Sequence, residues 1–200
     1  APFKREFHLS TWLVEQGYTA VTNPKKYHES DFYDYVDWDR TKAYALGING
    51  IYLNLRGREK RGNLEGAEAE RIRQEIMAKL MKVVDPLNGE PMILGCYDSR
   101  SIYSGPYVSL APDILVGYAR GCRVSDEAVL GKFPEGIVGD RTNKWAADHC
   151  LDPSVVPGMM LSNWRCTSES PGIWDMDPSI LAAFGFPVPQ PMTGRSVLVA

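Results

Sequence analysis

The stretch that most limits what this chain can fold into is Glu65–Val84. Ile72, Ile76 and Leu80 recur at four-residue spacing, with Ala69, Met77 and Val84 on adjoining positions. The opposite side carries Glu68, Arg71, Glu75, Lys79 and Lys82. Asp85-Pro86 closes the run, because proline brings no amide N–H and disfavours the helical conformation in the residue before it. This pattern predicts one long helix with a single apolar face laid on a sheet, and argues against a cofactor site on that face. Pro91–Tyr97 and Asp113–Tyr118 are short apolar runs, the pattern of strands covered on both faces. Thr41–Leu46 and Ile51–Leu55 flank the turn Gly47-Ile-Asn-Gly50 and predict a hairpin. Strands before and after a long helix place the chain in the α/β class.

The flanking segments are simpler. Phe7–Gln16 reads as a short helix carrying Phe7, Leu13 and Val14 with Trp12 beside them, stopped at Gly17. Residues 23–35 read as an exposed loop, with His28 solvated in it and His8 on the first helix. Neither histidine has a ligand partner at metal spacing. Asp177 reads as an N-cap with Pro178 at the first helical position; Ile180, Leu181 and Phe184 form the apolar side, and Gly185 with Pro187 ends it. Ser196–Val199 reads as a last edge strand. Repeats, low-complexity tracts and linkers are absent, so a single domain is expected over all 200 residues.

Composition narrows the function classes. A net charge of -3 argues against a nucleic-acid polymer as partner. No apolar run approaches the length of a membrane span. Cys96, Cys122, Cys150 and Cys166 include no C-x-x-C pair, so free, mostly buried thiols are expected rather than a zinc ribbon. P-loop, dinucleotide and G-x-S-x-G patterns are missing. Two features carry chemistry. Arg56-Gly-Arg-Glu-Lys-Arg61 is either a solvated charge cluster or an anion-facing loop, since arginine offers two parallel donors to phosphate oxygens. Gly139–Asn163 begins as a polar loop carrying Asp140, Lys144, Asp148 and His149, and ends in Val155–Leu161, read as one buried strand.

Three blocks of this chain carry a resemblance to a known family. Trp145-Ala-Ala-Asp-His149 with Asp152-Pro153, Val156-Pro-Gly158 and Leu161-Ser-Asn163 resembles the last metal-ligand segment of the alkaline phosphatase superfamily, in its type I phosphodiesterase / nucleotide pyrophosphatase branch. Val36–Gly47 with Gly50–Glu59, and Asp175–Gly185 with Pro189 and Met192–Arg195, resemble the same branch in the same order. The resemblance implies a three-layer α/β/α fold with two divalent metal ions, usually zinc, at the ends of parallel strands. It implies phosphate ester hydrolysis through a covalent phospho-enzyme on a Thr or Ser. His149 matches the family's final metal ligand, with Asp148 either a further ligand or a group that holds the imidazole; the nucleophile and the other ligands have no match in these 200 residues. The resemblance therefore implies the C-terminal part of a catalytic domain, inactive alone and without a tightly bound metal. Arg56, Arg58 and Lys144 are the candidates for contacting a small phosphate ester substrate. The alternative is a non-catalytic module that holds an anionic ligand with Arg56, Arg58 and the aromatic residues around Trp38 and Trp145.

Overall fold

The structure, a computed structural model, describes residues 4–144 and 150–199. The chain is of the mixed α/β class and forms two compact units, Ala1–Pro157 and Gly158–Ala200. In the first, β1 (Arg5–Phe7) leads into α1 (Leu9–Glu15). β2 (Ala43–Leu46) and β3 (Gly50–Leu53) precede α2 (Gly66–Leu80). β4 (Ile93–Asp98) runs straight into the single-turn α3 (Ser99–Ile102), and β5 (Ile114–Tyr118) follows. β6 (Cys122–Val124), α4 (Asp126–Val129) and β7 (Val138–Asp140) complete the regular elements.

The main sheet has the order β2-β3-β5-β4, every neighbouring pair antiparallel. The expected hairpin is there: Ala43 pairs with Leu53 and Leu46 with Gly50, with Gly47 at φ 76 supplying the left-handed turn. The expected strands at Pro91–Tyr97 and Asp113–Tyr118 pair with each other. β4 is covered on one face only, since Ile93 and Gly95 are buried while Leu94 is exposed, so the reading of two covered faces holds less well for it than for β5. The expected long helix is α2. Ala69, Ile72, Ile76 and Leu80 join Ile51, Leu53, Ile114, Val116 and Tyr118 in one core. Each leucine, isoleucine or valine side chain among them is worth roughly 1.5–3 kcal/mol when fully buried.

A second sheet, β6-β1-β7, pairs β1 parallel to β6 and antiparallel to β7. The strand β1 corrects the reading of Phe7 as helical: Phe7 pairs with Val124 and Val138, and α1 starts only at Leu9. His8 stands at the N-cap of α1, buried, its Nδ1–H donating to the Gly136 carbonyl at 2.9 Å. Gly139 and Asp140, read as loop, belong to β7.

Residues 23–35 are only in part the exposed loop expected: Pro24, Lys25, Lys26, Glu29, Asp31, Phe32 and Asp34 are exposed, but the two tyrosines between them are not. Tyr27 and Tyr33 are buried with Val36 and Phe133 in a separate aromatic cluster. The Tyr33 ring meets Phe133 edge-on with centroids 5.6 Å apart. Aromatic rings bury large areas wherever a distant apolar partner arrives, so local polarity misleads here. His28 is correspondingly tied down, with Nδ1–H donating to the Phe133 carbonyl at 2.8 Å.

In the second unit, β8 (Arg165–Cys166) and β9 (Leu198–Val199) pair antiparallel, and α5 spans Met176–Ala183. The expected last strand is therefore present. The helix starts earlier than expected, capped at Asp175, so Pro178 lies in the first turn, where its missing N–H costs no helix bond. The Asp175 carboxylate accepts from the Gly172 amide at 2.9 Å and the Arg195 amide at 3.0 Å. Ile180 and Phe184 are exposed, contrary to their assignment to a packed face. Val155–Leu161 is not a strand: a short 3-10 turn covers Pro153–Val155, and Met159 and Leu161 are exposed coil. Pro157 has no N–H for a ladder, and no strand pairs with the run among the described residues.

Candidate functional site

The strand β3 leads into Leu55–Arg61, the loop with the arginine cluster. Arg56 is exposed and sits 3.1 Å from Glu65. Gly57, at φ 85, then reverses the chain. Arg58 folds back inward. Its Nε donates to Glu59 at 2.7 Å; its Nη2 donates to the Leu53 carbonyl at 2.7 Å and to Asp113 at 2.6 Å. Its guanidinium lies 5.6 Å from the Tyr52 ring centroid, a cation–π arrangement. Burial lowers the Arg58 pKa, but the bonds to Asp113 and Glu59 outweigh it, and the group is held more firmly protonated than usual.

These positions correct the expectation that both arginines sit on an exposed loop. Only Arg56 does. We expect Arg56→Ala to change stability by no more than about 0.5 kcal/mol, and Arg58→Ala to cost about 2–3 kcal/mol, because Asp113 would lose a charged partner in a buried setting. Urea unfolding of the two variants checks this; equal, small losses would mean that the Arg58 pairs are screened by solvent.

Asp113 immediately precedes β5 and is buried. It also accepts from the Leu53 amide at 2.7 Å and from Arg73 Nη2 at 3.4 Å. Arg73 comes from α2 and is buried on the side that carries Ile72 and Ile76. It pairs with Glu70 and stands 3.9 Å from Asp98, while its Nε–H has no hydrogen-bond partner among the described residues. Asp98 ends β4 and caps α3 by accepting from the Arg100 amide at 3.0 Å. Arg100 pairs with Asp98 and, at 2.9 Å, with Glu70. The Arg100 guanidinium holds the Asp98 carboxyl below its ordinary value, and hydrogen bonds from Gln74 and then Arg100 do the same for Glu70. The carboxylates are therefore ionised and the guanidiniums fixed in place at neutral pH.

The four arginines converge. Arg56, Arg58, Arg73 and Arg100 border a single cleft of about 840 Å³, together with Ser99, Ser109 and Asp113. Among the described residues Asp113 is the one acidic residue on its wall, and Glu59, Glu65, Glu70 and Asp98 pair with the arginines from behind it. Four guanidiniums thus meet five carboxylates, so what the cleft offers an oxygen-bearing ligand is the N–H donors those pairs leave unused rather than a net positive charge. Arg73 and Arg100 did not stand out in the sequence. The one signal for Arg73 is a charge set between Ala69 and Ile76 on the apolar stripe of α2.

Lys144 is exposed beyond β7 and does not line the cleft. His149, Asp148 and Trp145 lie outside the described residues. The chain is pinned on either side of them. Arg141 pairs with Glu6 and with Asp126. Asp152, fully buried, accepts from Tyr97 Oη at 2.7 Å and from the Ser154 amide at 3.0 Å. Cys96, Cys122 and Cys166 are free thiols, and burial, with Asp152 adding to it, pushes the Cys96 thiol up to about 12, which disables it as a nucleophile. Among the described residues, no group of three or more His, Cys, Asp or Glu side chains is placed to hold a metal ion, and no helix is long and apolar enough to cross a membrane. Compared with protein-family models, with curated proteins and with solved structures, the chain matches none.

Proposed function

We propose that this chain is part of a metal-dependent phosphohydrolase or phosphodiesterase of the alkaline phosphatase type, three-layered α/β/α when complete, acting on a small phosphate ester. The observation that carries the reading is the order of the three sequence blocks, Val36–Glu59, Trp145–Asn163 and Asp175–Arg195, which run as they do in that superfamily. The arginine-lined cleft supports it, because the first block ends on two of its four arginines. In this reading His149 is one ligand of a two-metal centre whose other ligands come from segments unlike any in these 200 residues. The described residues do not themselves form a metal-holding set, so their own contribution is to bind and orient the anion.

Two assays test the proposal. The 200-residue chain should not hydrolyse a nitrophenyl phosphodiester or monoester, even with added zinc, because His149 as a single matched ligand cannot hold a catalytic metal. The full-length protein of the parent reading frame should do so, and His149→Ala in it should remove most activity without changing thermal unfolding. Full activity in that variant would end the ligand assignment, and turnover by the short chain would move the active site elsewhere. The cleft is also the observation that favours a second reading, a module that binds an anionic ligand and leaves it unchanged. Phosphate binding without turnover in the full-length protein would select it.

A further inference from the structure

The chain has 7 Met and 4 Cys in 200 residues, and several of them meet in the second unit. A pocket of about 610 Å³ there is bordered by Met159, Met160, Cys166 and Met176, so four of its eleven lining residues carry sulfur. Methionine ordinarily fills gaps in a core, as buried Met92 does in the first unit. The three methionines of this pocket belong to neither core cluster: Met159 is 88% exposed, and Met160 and Met176 are half-buried. Cys166 is a free, half-buried thiol whose Sγ–H donates to the Ser168 carbonyl at 3.3 Å.

Two of these sulfurs stand on a fixed frame. Cys166 lies in β8 opposite Leu198 of β9, and the next amide, that of Thr167, donates to the Val197 carbonyl at 2.8 Å. Met176 begins α5, and Ser179 of the same helix accepts from the Val197 amide at 2.9 Å. Val197 thus fastens the thiol strand and the methionine helix to one point. Met159 and Met160 sit on the coil after Pro157, on unbranched side chains that adjust easily.

We propose that Cys166, Met160 and Met176 bind one monovalent copper ion, with Met159 closing over it as a fourth sulfur. The donors select the ion. Thiolate and thioether sulfur are soft and favour Cu(I), whereas zinc sites add imidazole or several thiolates and harder ions take oxygen. Among the described residues the wall of this pocket has no histidine and a single carboxylate, Glu169. On binding, the Cys166 thiol gives its proton to solvent as the Cu–S bond forms, the thioethers donate lone pairs, and copper stays monovalent throughout. The site shares neither donors nor ion with the two-metal centre proposed above, and the inference does not rest on that reading.

The test is an anaerobic titration of the reduced 200-residue chain with Cu(I), in competition with the chromophoric chelator bicinchoninate. The chain should withdraw one equivalent from the chelator, and X-ray absorption should show sulfur alone around the copper. Bound Cu(I) should shield Cys166 from iodoacetamide, read by peptide mass spectrometry. Cys166→Ser should weaken binding at least a hundredfold, and Met160→Leu or Met176→Leu by about tenfold or more, since removing even a group that only supports a ligand costs about that much. These replacements nearly conserve size, so circular dichroism and unfolding like those of the unaltered chain are expected and would verify that the fold survives. An equal concentration of zinc should not displace the copper. No copper withdrawn from the chelator, or nitrogen and oxygen around the bound ion, would overturn the proposal. So would full affinity in Cys166→Ser, which would place the metal on another cysteine. Full affinity in the Met160→Leu/Met176→Leu double variant would overturn it too, by leaving a lone thiol as the ligand.

Discussion

Asp113→Ala is expected to destabilise the first unit by about 3–5 kcal/mol, measured by denaturant unfolding. Its carboxylate is buried and meets three donors: the Leu53 amide at 2.7 Å, Arg58 Nη2 at 2.6 Å and Arg73 Nη2 at 3.4 Å. Removing it leaves a backbone N–H inside the sheet without this acceptor, and two guanidiniums short of a counter-charge. The penalty for stranding buried groups is larger than the net worth of the bonds themselves. Asp113→Asn should not restore stability: one end of the amide is a donor and would face other donors, and the negative charge is gone. The same substitutions should lower phosphate affinity, because Arg58 and Arg73 lose the group that orients them on the cleft wall. A loss below about 1 kcal/mol for Asp113→Ala would show that the network is screened as a surface ion pair is.

Gly117→Ala is the second large effect. A Cβ at this position would lie 2.1 Å from Asp152 Oδ2 and 2.9 Å from its Cγ. The same carboxylate oxygen would stand 2.6 Å from a Cβ at Gly95, the register partner of Gly117. The paired glycines thus clear a shallow space in the β4–β5 face that the Asp152 carboxylate fills, with Tyr97 Oη closing it at 2.7 Å. Asp152 has little freedom to withdraw, because its amide is bonded to the Tyr118 carbonyl at 2.9 Å and its other oxygen accepts from Ser154. Forcing a methyl group into such a space costs about 1–3 kcal/mol, and the upper end is expected here. Repeating the substitution in an Asp152→Ala background should recover part of that loss, a coupling of at least about 1 kcal/mol in a double-mutant cycle. Strict additivity would place the strain elsewhere.

What could be read in the sequence was local. The helix α2 was legible because its apolar residues repeat at the helical period within one segment, and its end because proline follows. The β2–β3 hairpin was legible because a glycine turn separates two short apolar runs, and the turn itself sets the register. Arg56 and Arg58 could be picked out as a charge cluster, because charge density is a property of neighbouring residues.

The tertiary structure decided everything that depends on distant partners. Three-residue β1 has too few positions for a period, and it exists because β6 and β7 bond to its two edges. Tyr27 and Tyr33 look solvent-facing among acids and lysines, and are buried because Phe133 arrives from about a hundred residues further on. Val155–Leu161 has the composition of a buried strand and is coil, because a strand needs a ladder partner that composition does not supply. The distinction between Arg56 and Arg58 is of the same kind. Both sit beside Gly57, yet Arg58 is drawn inward by Asp113, placed there when β5 pairs with β3. Periodicity and turn chemistry act within a few residues and so are written in order along the chain. Strand order, aromatic burial and the meeting of four arginines on one wall depend on chain closure over tens of residues, and only the folded backbone sets those distances.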